Sequence, residues 1–297
     1  MTTDTGSYLA EVFGFPVTNR SDEAEKARQR YWCPFTNSRC AKQSRLLDFP
    51  FGVCSVSYHG HVCAVCPRRF EQRGSLPDTS KVLEELAHHY FGDINNVVAF
   101  PKVGLPRIGT IDYVLVQHAP LHPEVTDFVA IEFQTDSTTG TGAIVQGLRD
   151  FAAGQDIHRQ TYRFGMNTYD TIKRFVTQLL NKGIVYEAWG VKCYWVVEEY
   201  IYANLVRRYG VRPDGFEPEA ASRFALYSLE PVNDTGERFS LNLSRFVSIT
   251  VDEMYQAMRT NPGLPSKEQF VRGLNARLRA RLGVHFSRPA RSDETTQ

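Results

Sequence analysis

Hydrophobic positions change period repeatedly along the middle of the chain. Val82, Leu83, Leu86, Ala87 and Tyr90 recur at helical spacing. Asp78, Thr79 and Ser80 offer caps before them and Gly92 a stop after them, which predicts a helix over about Thr79–Phe91. Three strand-like segments follow, Val97–Phe100, Ile108–Val116 and Asp127–Thr135, then a Gly-rich loop and a helix beginning near Ala143. Ile172, Phe175, Val176 and Leu179 share one side of a second helix, over about Asp170–Leu180, which Gly183 should end. A strand over Ile184–Val197 and a helix over Glu198–Tyr209 continue the alternation. Strands Phe224–Leu229 and Phe239–Ile249 and helices Val251–Met258 and Ser266–Leu282 complete it. Residues 1–30 read as helical or loose, and residues 31–74 show little periodicity. The helix–strand–strand–helix–strand order predicts an α/β core with a central mixed sheet flanked by helices.

Length and composition narrow the class. The 297 residues suit one large domain or two small ones. Hydrophobic content of 42% and charged content of 23% are ordinary for a globular chain and exclude a disordered tail, a collagen or a coiled coil. The best apolar run, Ile184–Val197, is broken by Glu187 and Lys192, so no membrane span is expected. The start MTTDTGSYLAEVFG has no basic stretch followed by an apolar one. The expectation is a cytoplasmic protein.

A net charge of +1 conceals an uneven distribution. Basic residues dominate from Lys26 to Arg73 and again from Lys267 to Arg291, while acids dominate from Gly74 to Gly140. Basic flanks suit a polyanion and an acidic centre suits a divalent cation, although such runs also occur as plain solvated surface.

Asp112 stands in the apolar run GTIDYVLV and Glu132 in VAIEFQTD. Alternation along a strand puts Glu132 and Gln134 on one face. The intervening loop QHAPLHPEVT is long enough to return the chain, so that antiparallel pairing would set Asp112 beside Glu132. Two carboxylates in an apolar sheet need a compensating cation, and Mg2+ prefers such oxygen ligands. An acidic helix, an Asp strand, a Glu-x-Gln strand and a helix resemble the PD-(D/E)xK nuclease core in the variant where glutamine replaces lysine. The PD dipeptide itself is absent, since Ile111 precedes Asp112.

Cys33, Cys40, Cys54, Cys63 and Cys66 crowd one short stretch, whereas Cys193 stands apart. A disulfide framework does not suit a reducing compartment. Four thiolates would bind zinc or iron tetrahedrally, and by spacing alone Cys63 and Cys66 form the strongest pair.

The runs WCPFTNSRCAKQ, FPFGVCSV and VCPRRF resemble the N-terminal metal-binding region of the NotI family of restriction endonucleases. GTIDYVLV, VAIEFQTDSTTGTG and YRFGMNTYD are similar to the same family. The resemblance implies a four-cysteine region over residues 1–74, with structural iron or zinc held by Cys33, Cys40, Cys54 and Cys66 and with Cys63 spare. It implies a PD-(D/E)xK endonuclease domain over residues 75–297, with Asp112, Glu132 and Gln134 catalytic and Mg2+ on Asp112 and Glu132. The implied activity is that of a type II enzyme hydrolysing double-stranded DNA at a GC-rich palindrome such as CGGCCG. A palindrome matches a twofold axis, hence a homodimer. Gln134 cannot take a proton as an amine or carboxylate would, so its implied role is to orient water or phosphate. Glu84 or Glu85 could add an outer carboxylate. Arg149, Arg159, Arg163, Lys173 and Arg174 are candidates for reading guanine edges.

Other signals are weaker. TTGTGAIVQG lacks a full G-x-G-x-x-G and no P-loop lysine follows it, so no nucleotide cofactor is expected. His59 and His61 flank the cysteines and read as surface or supporting groups. Two competing functions are also compatible with the sequence. One is a repair or CRISPR-type exonuclease with an iron–sulfur cluster; the other is a non-enzymatic zinc-binding DNA-interaction module.

Overall fold

The computed structural model describes residues 6–75, 79–212, 214–232, 237–261 and 263–286. Within residues 1–30, expected to be helical or loose, residues 8–12 and 15–16 are strand and residues 22–30 are helix. Strand β1 (Tyr8–Val12) turns into β2 (Phe15–Pro16) through Phe13 and Gly14, both at positive φ. A Cβ at residue 14 would meet Pro34 Cγ at 2.2 Å, so glycine is required there. Helix α1 (Asp22–Arg30) starts at Ser21, whose hydroxyl accepts the Ala24 N–H, and stops at left-handed Tyr31. A small hairpin of β3 (Trp32–Cys33) and β4 (Ser38–Arg39) precedes β5 (Val53–Tyr58) and β6 (His61–Ala64). Strands β2-β1-β5-β6 form one antiparallel sheet.

Helix α2 (Lys81–Phe91) begins at Ser80, which accepts the Leu83 N–H, and ends at Gly92. Asp78, another cap candidate, lies outside the described residues. Strands β7 (Val97–Leu105), β8 (Gly109–His118) and β9 (Val125–Gln134) form an antiparallel meander. After the short β10 (Thr138–Thr139) come α3 (Thr141–Ala152), β11 (Gly165–Met166) and α4 (Thr168–Trp189). Then follow β12 (Cys193–Glu198), α5 (Glu199–Tyr209), β13 (Ser222–Pro231), β14 (Phe239–Ile249) and α6 (Val251–Arg259).

The main sheet has six strands in the order β14-β13-β12-β9-β8-β7. β12 runs parallel to β9 and β13, and the other pairs are antiparallel, so the sheet is mixed. Every residue of β12 is buried, as a central strand covered on both faces requires. Pro101 lies in β7, at an edge, where a missing N–H leaves no interior ladder bond unmade. Leu115, Val129, Ile131, Tyr194 and Val196 pack with α2 on one face. Val114, Ala130, Trp195 and Val197 pack with α4 and α5 on the other. Helix α3 buries Ile144, Val145, Leu148 and Phe151 against the N-terminal sheet.

The region after Leu180 differs from expectation. Helix α4 runs through Gly183 to Trp189, so residues 184–189 are helical and the strand is confined to Cys193–Glu198. Gly183 is tolerated inside the helix because a Cβ would lie 2.7 Å from Val251 Cγ2, where α6 crosses closely. Left-handed Gly190 is the real stop.

Residues 1–259 form one compact unit, within which residue 74 falls, and residues 260–297 form a second. The second unit carries α7 (Lys267–Phe286); Arg288 and Arg291 of the basic tail lie outside the described residues. No helix among the described residues is long and apolar enough to cross a membrane.

A buried ion pair ties the N-terminal sheet to the main sheet. Arg69, 1% exposed, donates through Nε to Glu11 of β1 at 2.9 Å and through Nη2 to the Phe239 carbonyl of β14 at 2.7 Å. Ser55 of β5 donates to the same Glu11 oxygen at 2.8 Å. Arg69→Leu leaves Glu11 buried without its cation and is expected to cost about 3–5 kcal/mol in urea unfolding. The double variant Arg69→Leu/Glu11→Leu should recover most of that loss; no recovery would show that the charge pair is not the tie.

Candidate active site

The register that pairs Tyr113 with Ile131 brings Asp112 of β8 alongside Glu132 of β9. Glu132 shares the α4-facing side of the sheet with Ala130. Asp112 reaches across to β9, where its Oδ2 accepts the Phe133 N–H at 3.0 Å. Asp112, Glu132 and Gln134 all line one cavity of about 450 Å³. Arg68, Lys102, Arg174, Gln178 and Lys182 line it as well.

The two carboxylates differ in environment. Glu132 is 3% exposed, and burial pushes its carboxyl up to about 7. The Lys182 hydrogen bond and charge pull it down, while Asp112 adds to the rise. Lys182 Nζ stands 2.6 Å from Glu132 Oε1 and 2.8 Å from the Thr110 carbonyl. Asp112 is half-buried and pairs with Lys102, whose side chain is 63% exposed. Lys102 lies within β7 at φ 53°, a left-handed value. Cationic groups therefore stand against both acids. Two hard carboxylates converging on one cavity suit Mg2+ by donor chemistry.

The loop after β9 is fastened by Asp136. It accepts the Thr171 hydroxyl at 2.8 Å and the Tyr200 hydroxyl at 3.2 Å, and also bonds Thr168. This anchors the α4 N-terminus beside the cavity. Neither Asp136 nor Lys182 was marked by the sequence reading. Lys182 carries a readable signal, since it follows Phe175 and Leu179 and precedes Tyr186 on the buried side of α4.

Glu84 and Glu85 do not line the cavity. Helix α2 packs on the opposite face of the sheet, where Glu84 accepts the Ser75 N–H and Glu85 the Tyr227 hydroxyl. Of the five base-reading candidates, Arg174 lines the cavity. Arg149 donates to the Leu46 carbonyl, Arg159 pairs with Asp156, and Lys173 pairs with Asp170. Arg163 is exposed.

Cys33, Cys40, Cys54 and Cys66 line a separate cavity of about 510 Å³. Burial pushes the Cys54 thiol well up, with Cys66 and Cys33 nearby adding to it. Burial raises Cys66 too, against the Lys42 ammonium and with Cys33 and Cys40. Cys63 points elsewhere; burial raises its thiol, with Glu198 beside it. The Cys63–Cys66 pairing favoured by spacing is thus not a shared cavity. Among the described residues, no three His, Cys, Asp or Glu side chains gather closely enough to hold a metal ion. The four thiols supply suitable soft donors but do not form a closed ligand set. His59 and His61 do not line this cavity.

Acids on the sheet side and guanidinium and ammonium groups around them suit a phosphodiester, and the mixed α/β fold is consistent with a nuclease. The family described as restriction endonuclease NotI matches residues 12–241, and the chain belongs to that family. It is a restriction endonuclease, a site-specific deoxyribonuclease. No curated protein matches the chain. Membership sets aside both the exonuclease and the non-enzymatic reading.

Glu198, at the end of β12, offers a pH test beside the site. Burial pushes its carboxyl from about 4.5 up to about 8, opposed by the Ala64 N–H it accepts at 2.9 Å. The folded state then binds the extra proton between those values, so stability falls as pH rises through that window. Glu198→Gln should flatten the decline in melting temperature between about pH 5 and 8; an unchanged slope would refute the assignment.

Proposed function

We propose that the chain is a homodimeric, Mg2+-dependent type II restriction endonuclease that cuts both strands of duplex DNA at a GC-rich palindrome. The observation that carries this reading is the convergence of Asp112 and Glu132, with Gln134, on one cavity also lined by Arg174. Asp112 and Glu132 would hold the Mg2+. When bound, the ion lowers the pKa of coordinated water and stabilises charge at the phosphorus.

The protein's own groups do the positioning. The Phe133 N–H fixes Asp112 toward β9. Gln134 donates its amide to the Thr135 carbonyl at 3.1 Å, which leaves its oxygen as an acceptor for the hydrogen of an attacking water. Arg174 lines the same cavity, and its guanidinium would supply charge-assisted N–H donors to a phosphate there. Backbone contacts of this kind supply register and affinity, and groove contacts supply the sequence.

The four cysteines are proposed to hold structural iron or zinc. Their support is the common cavity and the soft donor set. Cys63 is the spare.

Digestion of a plasmid of known sequence with Mg2+, followed by mapping of fragment ends, tests the function directly. Discrete palindromic cuts are expected, none in EDTA, and cutting restored when Mg2+ is returned; cleavage without metal would remove the mechanism. Glu132→Ala should lose cleavage by about 10²-fold or more while keeping duplex binding. Native cutting by that variant would refute the role of Glu132. Cys54→Ser should lower both the bound metal and the melting temperature, and unchanged values of both would count against the cysteine site.

A further inference from the structure

We propose that Lys182 is a positioning residue for cleavage. From helix α4 it fixes the Glu132 carboxylate and sets a buried positive charge beside it. The proposal rests on the reading of Asp112, Glu132 and Gln134 as the cleavage residues.

A lysine that is 6% exposed on the buried side of a helix needs a reason. Its neighbours on that side are Phe175, Leu179 and Tyr186, all buried. Taking an ammonium out of water costs several kcal/mol unless a partner of good geometry compensates it. Lys182 finds two partners, Glu132 Oε1 at 2.6 Å on β9 and the Thr110 carbonyl at 2.8 Å on β8. Thr110 is two residues before Asp112 on the same strand. One ammonium therefore clamps both acid-bearing strands to α4 and sets the spacing between the acids.

Lys102 meets Asp112 in a different way. Its side chain is mostly in water and can swing aside for a metal or a phosphate. Lys182 is enclosed and held by two oxygens, so it stays. Arg174, Gln178 and Lys182 follow at four-residue intervals along α4, and all three line the cavity. Lys182 is the innermost of this row and the one bonded to Glu132. Gln134 can hydrogen-bond but carries no charge. The buried positive charge beside Glu132 comes from the helix.

The test uses the full chain, a supercoiled plasmid carrying the site mapped from digested fragments, and a short duplex of that site. Lys182→Met should keep duplex binding in EDTA and leave KM near native, while single-turnover cleavage slows about 100-fold, as loss of positioning predicts. Cleavage within a few-fold of native would overturn the proposal, as would a loss confined to KM or to duplex binding. Should Lys182→Met fail to fold, Lys182→Gln keeps a hydrogen bond without the charge and is read by the same criteria. Glu132→Gln is run alongside. If that variant cuts at the native rate, the underlying reading of the acids fails. If it is dead while Lys182→Met cuts normally, only the role of Lys182 fails.

Discussion

A carboxylate sealed at the end of a central strand pair has to be met by a cation or a donor, and the arrangement around Glu132 follows from that requirement. Parallel pairing with β12 buries β9, and α4 closes the face that Glu132 occupies. The acid cannot escape to water as Asp112 partly does. Burial raises its carboxyl above the ordinary range, and the Lys182 hydrogen bond and charge pull it back. Site geometry and sheet stability are consequently one problem: Glu132 sits on β9, the direct neighbour of the fully buried β12.

Much of this was legible in the chain. Helix α2 was readable because Ser80 and Gly92 bracket an unbroken apolar face. The β8–β9 return was readable because each run alternates and the loop between them contains Pro120 and Pro123. What could not be read were features set by packing at a distance. Gly183 looked like a helix stop, and only the approach of Val251 explains why it is not. Ile184 and Val185 then read as a strand, whereas Ile184 is 57% exposed on a helix. The β1 strand was missed because five residues of partner-dependent sheet have little pattern of their own.

At the site, the acids were visible as polar breaks in apolar strands. Glu84 and Glu85 were placed on the wrong side because an acidic helix declares its charge but not which face of a sheet it covers. Lys182 was overlooked for the complementary reason: one lysine among apolar residues resembles a solvated end until the helix is known to continue. Among the cysteines, spacing favoured the close pair Cys63 and Cys66. Alternation along β6 into the following turn sends these two thiols to different surroundings.

Helix α3 has a consequence of its own. It leaves the strand that bears Glu132 by way of Gly140, a residue whose added Cβ would press on the Arg163 carbonyl at 3.1 Å, and then seats its apolar side on the N-terminal sheet. The cysteine-bearing part is in this way a foundation for the segment just downstream of the acids. A chimera that borrowed residues 1–74 from a cousin would inherit a mismatched floor beneath α3, and its defect would surface as a displaced loop tens of residues away in sequence from the join.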